Sequence, residues 1–90
     1  MTELMDINFL LARMVELLRF GGIDAWADSL ERSRKKLTKN IELEKNTILS
    51  MFGGMGSLSD LVLYRDGKPL VKENNEFDEL RKKLYAICRG

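Results

Sequence analysis

The stretch that decides the fold of this chain is FGGMGSLSDLVLYRDGKPLV, residues 52–71. Its first eight positions hold three of the seven glycines and two serines, a composition that ends helices and forms loops. Leu61–Tyr64 then predicts a short strand, and Asp66-Gly67 is typical of a hairpin turn. The return arm, Lys68–Val71, contains a proline and so fits only an edge strand. We expect a two-stranded hairpin or an extended arm at about residues 60–71.

Helical patterns lie on both sides of this stretch. Apolar residues recur at steps of three and four over residues 4–18, 23–37 and 77–88, which is the period of an amphipathic helix. Asp6 would cap the first helix, and Gly21-Gly22 would end it. The pattern predicts a mainly α fold in which three to four helices surround one core and the hairpin or arm precedes the last helix.

The middle of the chain leaves open whether the second helix continues into a third. Glu44 and Lys45 occupy positions where a continuous stripe would be apolar, so we favour a break near Asn40, with Asn40 as the cap of a third helix. Asn74 or Asn75 would cap the last helix, because acidic residues follow them in the first turn.

Length and charge limit the classes of protein to consider. Ninety residues form one domain, residues 1–90. Fifteen basic and fourteen acidic side chains leave a net charge of +1, so the bulk charge gives no reason to expect nucleic acid or an anionic membrane as a partner. The apolar N-terminal segment is interrupted by charges, which argues against a signal peptide or a spanning helix. We expect a cytoplasmic protein.

The residue types restrict the chemistry further. The chain has no histidine, the usual proton shuttle and metal ligand, and a single cysteine, Cys88, which lies on an apolar helix face and predicts a buried thiol. The acidic residues match no known calcium or zinc spacing. A basic cluster at residues 32–39 lacks neighbouring aromatic residues and is typical of a solvated helix face. We therefore predict no metal and no cofactor, and we do not expect nucleic acid as a partner.

The glycine-rich stretch does not match a phosphate-binding loop. No lysine follows Gly56 before Lys68, whereas a Walker-type loop needs one directly after its last glycine. Ser57 or Ser59 beside Asp60 has no histidine to act as a base, and nothing in the sequence specifies a serine–lysine pair. The backbone amides could still form a nest for an anion.

The alternative interpretation is structural. Phe52 would end the third helix, Gly53 or Gly54 would take the left-handed cap conformation, and the two serines and Asp60 would hydrogen-bond the local backbone. Three glycines exceed the need of one cap, so we expect tight packing or a contact with a partner at this loop.

Most of the chain resembles a known kind of sequence. FGGMGSLSDLVLYRDGKPL, followed by FDELRKKLYAI, resembles the C-terminal half of a small family of uncharacterised bacterial proteins. Its members pair a GGMGSxxDLVL signature, here residues 53–63, with an N-terminal helical region bearing a tryptophan, here Trp26. The resemblance implies a bacterial cytoplasmic protein of accessory or immunity type, and it transfers no catalytic residue.

Together these observations predict a non-enzymatic module that binds another protein through the glycine-rich loop, residues 52–66. The alternative is a domain that holds a small anionic ligand, or acts on one, with loop amides and nearby lysines. Because the first helix has a broad apolar surface, we also expect that a homodimer can form. Trp26 itself is predicted to pack in the core. The candidate interaction or structural residues are Gly53, Gly54, Met55, Gly56, Ser57, Asp60 and Trp26.

Overall fold

The computed structural model describes residues 2–53 and 56–90, and within them it shows four α-helices and a two-stranded antiparallel hairpin before the last helix. This confirms the predicted mainly α fold. Among the described residues, no helix combines the length and the hydropathy needed to cross a bilayer. The elements, in chain order, are α1 (Glu3–Phe20), α2 (Asp24–Lys36), α3 (Ile41–Ser50), β1 (Tyr64–Arg65), β2 (Lys68–Pro69) and α4 (Val71–Arg89).

Helix α1 is the central element and packs against both α2 and α4. It begins earlier than the sequence predicted, because Oγ1 of Thr2 accepts a hydrogen bond from the backbone N–H of Met5 at 3.2 Å. The prediction that Asp6 is the cap is therefore wrong, whereas the predicted end at the Gly21-Gly22 pair is confirmed. The buried residues of α1 are Ile7, Leu10, Leu11, Met14, Val15, Leu17 and Leu18.

The predicted break between α2 and α3 is confirmed. The side-chain oxygen of Asn40 accepts from the N–H of Leu43 at 3.0 Å and so caps α3. Nζ of Lys45 lies 2.5 Å from a carboxylate oxygen of Glu3, which ties α3 to the start of α1. The helix ends at Ser50, two residues before the predicted Phe52.

The hairpin has the predicted turn but shorter strands. Asp66 and Gly67 have φ angles of 53° and 76°, and two successive positive φ angles are the signature of the turn that matches strand twist. Tyr64 pairs with Pro69 and Arg65 with Lys68. The strands are shorter than expected because α4 already begins at Val71.

The hairpin rests on the last turn of α1. Leu63, just before β1, is fully buried and lies against Gly21, where an added Cβ would be 3.0 Å from Leu63 Cδ2 and 3.2 Å from Leu63 Cβ. The guanidinium carbon of Arg65 is 4.2 Å from the ring centroid of Phe20, a cation–π contact. Position 21 is therefore a glycine because the side chain of Leu63, distant in sequence, fills the space that a Cβ would need.

We predict that Gly21→Ala lowers the free energy of unfolding by about 1 kcal/mol, because its methyl group would overpack against Leu63. The backbone is not the cause, since φ of Gly21 is −85° and suits alanine. In the control, Gly53→Ala, the new Cβ meets no atom within 4 Å, and the change should stay within about 0.5 kcal/mol. Urea unfolding measures both, and equal midpoints for the two variants would contradict the contact.

Cys88 is buried on the core face of α4, and burial raises the pKa of its thiol to about 11. A thiol in an unfolded chain ionises near pH 8.5. The folded chain therefore holds this proton more tightly, and the resulting stability is complete below about pH 8.5 and is lost as the pH rises towards 11.

We predict that the stability difference between the wild type and Cys88→Ala is constant from about pH 6 to pH 8 and then shifts against the wild type at higher pH. The comparison cancels the titration of lysines, which both proteins share. Urea unfolding across this range measures the difference, and a difference independent of pH would contradict the shift.

Candidate interaction surface

The loop after α3 is closed by its own side chains. The N–H of Gly56 donates to Oδ2 of Asp60 at 2.9 Å, and Oγ of Ser59 donates to the carbonyl oxygen of Phe52 at 2.9 Å. The hydroxyls of Ser57 and Ser59 are 2.9 Å apart and share a hydrogen bond. The predicted hydrogen bonding to local backbone is confirmed for Ser59 and Asp60, whereas the hydroxyl of Ser57 bonds a side chain instead. Leu58 is fully buried and anchors the loop in the core.

The glycines of this loop have different roles from those predicted. The left-handed conformation falls on Gly56, with φ of 72°, and not on Gly53. Gly54 and Met55 lie outside the described residues. A Cβ on Gly53 or on Gly56 would meet no atom within 4 Å, so the expected tight packing within the chain is wrong at both positions. The space beside them is open.

The side chain of Arg81, in α4, binds the backbone of the loop. Its side chain is only 14% exposed and pairs with Asp78 at 3.2 Å. Arginine can bind several acceptors at once because its donors are fixed in a plane. One guanidinium nitrogen donates to three backbone carbonyl oxygens, those of Leu58 (3.0 Å), Ser59 (3.2 Å) and Leu61 (3.0 Å).

Asn74 holds the chain just before the hairpin. Its Oδ1 accepts from the backbone N–H of Leu63 at 2.7 Å, and its Nδ2 donates to the carbonyl oxygen of Leu63 at 3.0 Å. That carbonyl also accepts from the N–H of Leu70 at 2.9 Å. Neither Asn74 nor Asn75 is the predicted helix cap, because α4 begins at Val71. The side chain of Asn74 instead makes a tertiary contact with the backbone of Leu63.

An apolar surface surrounds this fixed loop, and we call it the loop–α4 surface. Val62, Tyr64 and Val71 are 46%, 51% and 69% exposed. Leu61, Val62, Pro69 and Val71 line a groove of about 360 Å³ whose other wall includes Asn74 and Arg81.

A second groove, of about 280 Å³, lies on the other side of Arg81. Phe52 and Tyr85 line it and meet edge to face, with ring centroids 5.2 Å apart. Asp78 and Lys82 form its charged rim, and Nζ of Lys82 lies 3.1 Å from Asp78 Oδ2. This pairing with Lys82, followed by Arg81, lowers the pKa of Asp78.

The strand before the turn also leaves one backbone edge open. The backbone groups of Leu63 form hydrogen bonds with Leu70 and with the side chain of Asn74, and Arg65 pairs with Lys68. Hydrogen-bonding groups alternate between the two edges of a strand, so those of Val62 and Tyr64 face away from the hairpin. An extended segment of a partner could pair with this edge.

The structure brings together only part of the predicted residue set. Gly53, Gly56, Ser57 and Asp60 lie in the loop, whereas Trp26 is half-buried in α2, packed against the core as predicted. In residues 2–53 and 56–90, no hydrogen bond joins Trp26 to the loop, and no group of three His, Cys, Asp or Glu side chains could hold a metal ion.

Sequence reasoning missed the α4 side of this surface. Asn74, Asp78, Arg81 and Tyr85 follow steps of four, three and four and so share one face of the helix. That spacing was available in the sequence. From the sequence alone, capping accounts for Asn74 and the helix dipole accounts for the charges, so the shared face does not stand out.

We predict that Asn74→Ala lowers the free energy of unfolding by about 1–3 kcal/mol, because it leaves the buried N–H of Leu63 without its partner. The neighbouring Asn75 is exposed and serves as a matched control, since Asn75→Ala should change stability by less than about 0.5 kcal/mol. Urea unfolding measures both, and equal losses for the two variants would show that Asn74 does not hold the hairpin.

Comparison with known proteins gives one match. No curated protein and no solved structure shows significant similarity to the chain. A family model, the domain of unknown function DUF6966, matches residues 20–71, which run from the end of α1 through the loop and the hairpin to the start of α4. Because this match covers more than half of the chain, the protein belongs to the DUF6966 family.

Proposed function

We propose that this protein is a non-enzymatic interaction module that binds another protein through residues 52–66 and the adjoining face of α4. The bacterial origin, the cytoplasmic location and the accessory or immunity-type role expected from the sequence belong to the same proposal.

The observation that carries the proposal is the loop–α4 surface, where exposed apolar side chains lie on backbone that is fixed by hydrogen bonds from α4. Val62, Tyr64, Val71 and Tyr85 are each at least 40% exposed. Exposed apolar patches with a polar rim mark protein contacts, and here Asp78 and Lys82 supply the rim. Because Arg81 and Asn74 already order the backbone beneath, a partner would bind with little further loss of conformational entropy.

The glycine positions also support a protein partner. Gly53 and Gly56 are exposed, and a Cβ on either would enter open space. Among residues 2–53 and 56–90, no neighbour explains glycine at position 53, where φ is not positive. Close approach of another chain is the remaining physical use for a missing side chain.

The geometry favours a protein over an anionic ligand. A loop that binds an anion needs free N–H donors and a nearby cation. The N–H of Gly56 instead donates to the carboxylate of Asp60, and Lys82 pairs with Asp78. This N–H and this ammonium group therefore already have acidic partners within the chain.

The test is affinity capture from the native host with tagged protein, followed by mass spectrometry. We predict that the wild type enriches a specific protein and that the double variant Val62→Asp with Val71→Asp reduces the enrichment at least tenfold, since each change places a charge in the apolar surface. The matched control is Leu43→Asp, at a 57% exposed leucine of α3.

Two results would count against the proposal. Capture that is equal for the double variant and the wild type, with melting temperatures unchanged, would place the contact elsewhere. Saturable thermal stabilisation by a nucleotide or a phosphorylated metabolite would favour the anionic-ligand alternative.

A further inference from the structure

A second exposed apolar surface lies between α1 and α4, away from the loop–α4 surface. Phe9 is 69% exposed, a fraction matched among the large apolar residues described only by Val71. It stands at the edge of a groove of about 390 Å³, which we call the α1–α4 groove. The lining residues are Asp6, Phe9, Leu10, Lys83, Ala86 and Ile87.

The geometry of α1 explains why its own chain does not cover Phe9. Ile7, Leu11 and Leu18 face the core and are fully buried. At 100° per residue, Phe9 points almost directly away from them. Phe9 therefore lies on a side of α1 that the described residues leave mostly exposed.

The two walls of the groove carry opposite charges. Asp6 lies on the α1 wall and Lys83 on the α4 wall. Within residues 2–53 and 56–90, neither is in an ion pair, whereas the next pair along the same interface, Arg13 and Glu76, is closed at 2.6 Å. The groove thus has an acidic rim, a basic rim and an apolar floor.

This arrangement is self-complementary. A two-fold axis lying in the mouth of the groove, parallel to the two helices, would exchange the two walls, so that α1 of one copy would face α4 of the other. Asp6 of each copy would then lie opposite Lys83 of the other copy, and each Phe9 ring would face the α4 wall of the other copy. We propose that a second copy of this chain occupies the α1–α4 groove and forms a symmetric homodimer.

A stable dimer needs only a small part of the exposed surface of this chain. A stable interface buries roughly 800 Å² on each partner, which is about one seventh of the 5651 Å² exposed by this chain. The proposal does not rest on the proposed function, because it uses neither the hairpin nor the loop.

The experiment is sedimentation velocity of the full chain from about 1 to about 300 µM, since mass action makes a dimer depend on concentration. We expect the wild type to pass from monomer to dimer and Phe9→Asp to remain a monomer throughout. The matched control is Val71→Asp, at the residue with the same 69% exposure, and it should dimerise like the wild type.

Charge exchange provides a second test that does not depend on Phe9. Asp6→Lys or Lys83→Asp alone places like charges opposite each other and should weaken the dimer about tenfold, whereas the double variant restores opposite charges and should return to within about threefold of the wild type. Melting temperatures of all variants show whether the fold is retained.

A wild type that stays monomeric over the whole range would overturn the proposal. So would a dimer that survives Phe9→Asp, or a double charge exchange that fails to recover binding while the fold is intact. None of these outcomes depends on whether Val62 and Val71 bind a partner protein.

Discussion

The position of Leu63 is the constraint on which the rest of the structure depends. Its backbone N–H and carbonyl are both bonded by the side chain of Asn74, and its own side chain is buried against Gly21. One residue between two helices therefore joins the end of α1 to the start of α4. The hairpin, which is too short to be stable alone, is placed by this contact and by Arg65 over Phe20.

The loop before Leu63 is ordered in the same way, through polar groups of α4. A segment rich in glycine and serine would lose much conformational entropy on folding, and few apolar contacts offset that loss. Arg81 compensates by satisfying three carbonyl oxygens, and Asp60 satisfies the N–H of Gly56. The polar groups of the loop are thus bonded within the chain, and Leu58 anchors the loop in the core.

Helix α4 separates two potential contacts of the molecule. One face, with Asn74, Arg81 and Tyr85, supports the loop–α4 surface, and the other, with Lys83 and Ile87, forms a wall of the α1–α4 groove. Both faces flank the same core residues, among them Phe77 and Leu84. A small domain can in this way offer two surfaces without a second core.

The sequence by itself determined the helices, the break at Asn40, the end of α1 at Gly21 and the Asp66-Gly67 turn, because apolar period, capping and positive φ are local properties. Only the tertiary structure decided what Asn74, Arg81 and Gly21 do. Gly21 lies against Leu63, 42 positions away in sequence. Arg81 bonds the carbonyls of Leu58, Ser59 and Leu61, 20–23 positions away, and Asn74 bonds Leu63 across the hairpin, 11 positions away. A local pattern cannot distinguish an asparagine that caps a helix from one that bonds a strand, since both uses need the same donor and acceptor and differ only in what the fold brings within reach.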